Sequence, residues 1–119
     1  MSGIRDSKLS RLRRWASGET PGPWDMFVMP TDRCNLKCSI CWAREVERVS
    51  GKGIYDRARE LPDARLLSLV DECAAMGVRE WNLVGGGEPM VRSDILMAVC
   101  ERLCSHGLTG AIHTNGTLF

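Results

Sequence analysis

The period of the apolar positions changes several times along the chain, and each change predicts an element. Between residues 4 and 16, Ile4, Leu9, Leu12 and Trp15 or Ala16 fall near one side of a helix, with Arg5, Lys8, Arg11, Arg13 and Arg14 on the others. This predicts an amphipathic helix ended by Gly18, whose basic face is solvated while the helix packs over the domain that follows. Thr20-Pro21-Gly22-Pro23 then breaks the pattern. Trp24 to Met29 is a short apolar run between Pro23 and Pro30, which suits a buried strand. Trp42 to Val49 predicts a short helix stopped by Ser50-Gly51-Lys52-Gly53, and the charged stretch from Ile54 to Glu60 reads as irregular.

The second half is more regular. Leu61-Pro62-Asp63 opens a helix with Leu66, Leu67, Val70, Cys73 and Ala74 as its apolar stripe and Gly77 at its end. Val78 to Val84 predicts a second strand, running into Gly85-Gly86-Gly87-Glu88-Pro89. Ser93 is expected to N-cap the next helix, with Ile95, Leu96, Val99, Cys100 and Leu103 turned inward and Gly107 after it. Thr109 to Thr114 predicts a third strand before the turn at Asn115-Gly116. The order strand, helix, strand, helix, strand implies an α/β fold with parallel strands and right-handed crossovers, preceded by the N-terminal helix. Three strands cannot close a barrel, so the third is expected to keep an uncovered edge.

Composition narrows the class without changing this picture. At 119 residues, 44% hydrophobic and 26% charged, with a formal net charge of +1, the chain reads as an ordinary globular domain or part of one. The near-balance of charge argues against nucleic acid or a membrane surface as the main partner. No apolar run approaches the roughly 20 residues of a membrane span, and the charged N-terminal stretch is unlike a signal peptide, so a cytoplasmic setting is expected. In that setting the 6 cysteines read as ligands and core thiols rather than disulfides.

Cys34, Cys38 and Cys41 carry the chemistry, spaced C-x3-C-x2-C within Asp32–Trp42. A zinc ion or a cubane iron–sulfur cluster normally takes four protein ligands, so a group of three leaves one metal position open. The spacing matches neither paired zinc motifs nor the common ferredoxin runs, and cysteines this close on one loop would close strained disulfide rings. It favours an iron–sulfur cluster with a free iron; zinc and an inert trio remain as alternatives. Arg33 and Lys37 push the same way, because cations favour thiolate, although both also read as solvated loop charges, at least as well in the case of Lys37. Cys73 reads as a core thiol, and Cys100 and Cys104, four apart on one helix, as core thiols rather than a second metal site. Triple glycine at the second strand's end lets backbone approach a bound group closely, and Glu88 beside it suits an ammonium better than a phosphate.

Taken together, Thr31-Asp32-Arg33-Cys34-Asn35-Leu36-Lys37-Cys38-Ser39-Ile40-Cys41, Gly86-Gly87-Glu88-Pro89 and Thr114-Asn115-Gly116, each after a strand, strongly resemble the radical S-adenosylmethionine superfamily. The likeness covers about residues 24–119 and is greatest to molybdenum-cofactor-biosynthesis and SPASM-type members, leaving 1–23 as a basic helix and linker. It implies a partial (β/α)6 barrel of the TIM type, of which this chain supplies the βαβαβ portion, its N-terminal half. It implies that Cys34, Cys38 and Cys41 hold three irons of a [4Fe-4S] cluster, the fourth being chelated by S-adenosylmethionine. Gly86, Gly87 and Glu88 would receive the methionine ammonium, the backbone around Ile40 the adenine, and Thr114 or Asn115 the polar edge of the nucleoside. Ile40 stands where the family usually has an aromatic residue, which alters packing against the adenine. The implied activity is reductive cleavage of the cofactor to a 5′-deoxyadenosyl radical that takes hydrogen from an unknown substrate. That activity needs an external electron donor such as flavodoxin or ferredoxin, and either further barrel strands or a partner chain that supplies them. The contrasting expectation is a non-catalytic iron–sulfur or zinc-binding module.

Overall fold

The computed structural model describes residues 6–51 and 60–119. Ile4, Arg5, Lys52, Gly53 and most of the irregular stretch expected from Ile54 onward lie outside the described residues. Helix α1 spans Lys8–Ala16, starting from an extended Ser7 whose hydroxyl accepts from the Ser10 amide while Ser10 reciprocates, a capping box. Strand β1 is Asp25–Val28, and helix α2, Trp42–Ser50, ends at Gly51 in a left-handed turn with φ 68°. Helix α3 (Asp63–Ala75) leads to strand β2 (Glu80–Leu83), and helix α4 (Ser93–Ser105) to strand β3 (Thr109–Ile112).

All three strands are parallel in the order β1-β2-β3, as the alternation of elements implied. Register fixes the two faces. Val28, Leu83 and Ile112 are partners, as are Met26, Trp81 and Gly110, and this face meets α3 and α4. Leu66, Val70 and Cys73 from α3 and Leu96, Val99 and Leu103 from α4 complete a core with Val28, Trp81 and Leu83. Phe27, Asn82 and Ala111, also partners, face the other side. There Phe27 is 65% exposed, although the run Trp24–Met29 suits a buried strand.

Two local expectations are corrected. The apolar positions Leu9, Leu12 and Trp15 of α1 are exposed, and the helix docks instead through Arg11, 5% exposed. The Arg11 guanidinium donates to Asp6, to the carbonyls of Gly22, Pro23 and Gly77, and lies 4.9 Å from the Trp24 ring centroid. Ser93 does not cap α4: a 3-10 turn, Pro89–Arg92, intervenes, and Ser93 is already the first residue of the helix. The side chain that caps this turn is Glu88, which accepts from the Met90 amide. No helix among the described residues is long and apolar enough to cross a membrane.

Candidate metal and cofactor site

Parallel strands deliver their following loops to one edge of the sheet, and here all three sequence motifs occupy that edge. The cysteine loop follows β1, the glycine loop follows β2, and Thr114-Asn115-Gly116 follows β3. The first two meet through backbone hydrogen bonds, Gly87 N–H to Thr31 O at 3.1 Å and Glu88 N–H to Arg33 O at 2.7 Å. Glycine is obligatory at Gly87, where a Cβ would overlap the Arg33 carbonyl, whereas a Cβ on Gly86 would meet the end of the Asp32 side chain, which could swing away. Between the loops lies a cavity of about 580 Å³ lined by Cys34, Cys38 and Cys41 on one side and Gly86 and Gly87 on the other.

Each thiol is placed differently. Cys34 accepts a long hydrogen bond from the Leu36 amide, 3.5 Å, and is exposed, as is Cys38. Cys41 is half-buried at the N-cap of α2 without a side-chain cap hydrogen bond. Among the described residues no three His, Cys, Asp or Glu side chains converge on a point that could hold a single ion. Three thiols on one loop that line one cavity are a donor set of the kind an iron–sulfur cluster takes. Arg33, Lys37 and Arg44 share the cavity wall with Asp32 and Glu47. Arg33 is ion-paired with Glu60 at 3.0 Å, so its charge is shared rather than aimed solely at the thiols. Glu60 also accepts from the Thr31 hydroxyl; burial pushes its carboxyl up, but Thr31 and Arg33 hold it net below the usual carboxylate range.

Glu88 lies behind the cavity wall rather than in it, 3% exposed. Its Oε1 accepts from Met90 N–H at 2.9 Å and Thr114 Oγ1–H at 2.6 Å, and its Oε2 from Asn115 N–H at 2.7 Å. Burial pushes this carboxyl up, but the donors from Asn115, Thr114 and Met90 outweigh it and keep it net below the usual range. Thr114 and Asn115 donate to Glu88 and do not line the cavity, and neither does Ile40, which is 95% exposed. The sequence reading gave no role to Asn35, Thr117, Thr31 or Glu60, although Asn and Thr beside a loop cysteine are residues that close turns with their side chains. Cys73 is buried in the core, where desolvation raises its thiol pKa, and Cys100 is half-buried, but Cys104 is exposed rather than a core thiol, because α4 buries Ile95, Leu96, Val99 and Leu103 instead.

Residues 28–119 match the family model described as Radical SAM superfamily. GTP 3',8-cyclase of Lactiplantibacillus plantarum is 34% identical over 87 residues, 72% of this chain and 24% of that protein. GTP 3',8-cyclase of Paenarthrobacter nicotinovorans is 34% identical over 93 residues, 77% of this chain and 25% of that protein. Fe-coproporphyrin III synthase of Methanosarcina barkeri is 33% identical over 117 residues, 96% of this chain and 26% of that protein. The chain thus spans about a quarter of the length of the curated relatives it matches. No solved structure matches it.

Proposed function

Because the chain belongs to the radical SAM superfamily, we propose that residues 24–119 form the cluster- and cofactor-binding portion of a radical enzyme, preceded by a docked helix and linker in 1–23. Cys34, Cys38 and Cys41 would hold a [4Fe-4S] cluster as thiolates, leaving its fourth iron to S-adenosylmethionine. Gly86 and Gly87 would seat the methionine ammonium with backbone carbonyls, Glu88 lending negative charge from behind the wall. The backbone around Ile40 is assigned to the adenine, and Thr114 or Asn115 to the polar edge of the nucleoside. When bound and reduced, the cluster supplies the electron that cleaves the sulfonium and yields a hydrogen-abstracting carbon radical. The chain's own share is to hold the thiols on one loop, to bring glycine backbone within reach of the cofactor, and to wall one side from water.

The observation that carries this reading is the shared cavity, in which three thiols on one loop face glycine backbone on the next. A reducing compartment such as the cytoplasm, an external electron donor such as flavodoxin or ferredoxin, and a substrate not named by the site complete the proposal. Anaerobic reconstitution with iron and sulfide tests it. About four irons per chain are expected in the wild type, falling severalfold in Cys34→Ala, Cys38→Ala and Cys41→Ala. Equal iron in all four proteins overturns the ligand assignment.

A further inference from the structure

A buried carboxylate must be partnered, and the partners of Glu88 come from two loops at once. Its side chain takes the Met90 amide from its own loop and the Thr114 hydroxyl and Asn115 amide from the loop after β3. Its main-chain N–H meanwhile donates to Arg33 O in the cysteine loop. From Asn115 the connection continues: Asn115 Nδ2 donates to Asn35 Oδ1 at 3.1 Å, and Asn35 Nδ2 donates to Thr117 Oγ1 at 2.8 Å. Thr117 then donates back to Asn115 Oδ1 through both its amide, 3.0 Å, and its hydroxyl, 2.7 Å. Arg33 and Asn35 are joined through Cys34, so these bonds form a closed ring around the three strand-end loops with Cys34 inside it.

Capping the 3-10 turn explains only the Met90 bond, and contact with a cofactor explains none of the three, since Glu88 does not line the cavity. All three donors need an acceptor, which an ionised carboxylate supplies and an amide does not, because its NH2 would face one N–H or O–H. Cys38 and Cys41 lie outside the ring, Cys41 at the start of α2 and Cys38 three residues before it. We propose that Glu88 is a positioning residue that fixes Cys34 by closing this ring through Asn115 and Asn35. The ring belongs to the chain without any cluster, so the inference stands or falls separately from the cofactor reading.

The test uses the full chain without metal, followed by nuclear magnetic resonance. In Glu88→Gln the side-chain amide signals of Asn35, which residue 88 does not touch, should move to the position of an asparagine free of hydrogen bonds to the protein, while the core amides of Trp81 and Leu83 keep their exchange rates. Asn35→Ala and Asn115→Ala leave Glu88 in place and decide the matter should Glu88→Gln fail to fold. Each should speed hydrogen exchange at the Glu88 amide roughly five- to tenfold, the loss of about one hydrogen bond. The double variant should match the singles, because each opens the same ring. Unmoved Asn35 signals in a folded Glu88→Gln protein, Glu88 exchange at the wild-type rate in both alanine variants, or effects that multiply in the double variant would overturn the proposal.

Discussion

Gly87 shows how one residue can determine a site. Its backbone runs against Arg33 so closely that no Cβ has room, and the obstruction is main chain rather than a side chain that could swing away. Gly87→Ala should therefore cost at least about 1–3 kcal/mol, read as a lowered midpoint in urea, and should loosen the cysteine loop as well as its own. A midpoint equal to wild type would mean the loops do not cross as described. At this scale the sequence was informative wherever chemistry is carried by spacing: the cysteine triad and the glycine run both identify themselves. It was uninformative for Glu88, whose partners Thr114 and Asn115 lie 26 and 27 residues away and converge only after the sheet forms. Asn35 was overlooked for the same reason, since its partners lie beyond the third strand.

Among the elements, the strands and the two long helices follow from periodicity, because their stripes meet the same core that the sheet presents. Helix α1 does not. Its apolar positions suggested the buried side, but the surface it meets is a turn with free carbonyls at Gly22, Pro23 and Gly77, and only a multidentate donor such as Arg11 satisfies these. A hydrophobic pattern cannot reveal a docking surface made of backbone oxygens. Asp6 completes the arrangement, and its hydrogen bond from Arg11 holds its carboxyl at about 2 against an ordinary 3.8, burial opposing. A depressed carboxylate stabilises the folded state fully above its ordinary value and loses that contribution as pH falls through the depressed one. Helix α1 should therefore begin to release between about pH 4 and pH 2, seen as a change in Trp24 emission as Arg11 leaves its ring. In Asp6→Asn that step should flatten. A step of undiminished size would place the titration elsewhere.

For the whole molecule, the parallel sheet is covered by α3 and α4 on one face, while Phe27 remains exposed on the other. Among the described residues β1 and β3 each have a free edge. An exposed aromatic beside unpaired strand edges invites association, so sedimentation should show the isolated chain self-associating as concentration rises. Phe27→Ser should shift the onset upward; a monomer at every concentration would show that face and edges to be adequately protected. The α/β class and strand order were legible because alternation of elements fixes them, whereas the half-open face of β1 was not, since a run of apolar residues does not say which sides are covered. The central claim, an open iron beside a glycine-walled cofactor seat, is tested most directly by electron paramagnetic resonance of the reconstituted, reduced chain before and after addition of S-adenosylmethionine. A [4Fe-4S] signal whose g-values shift on addition is the expected result, while a spectrum unchanged by the cofactor, or a chain that carries only zinc, would contradict it.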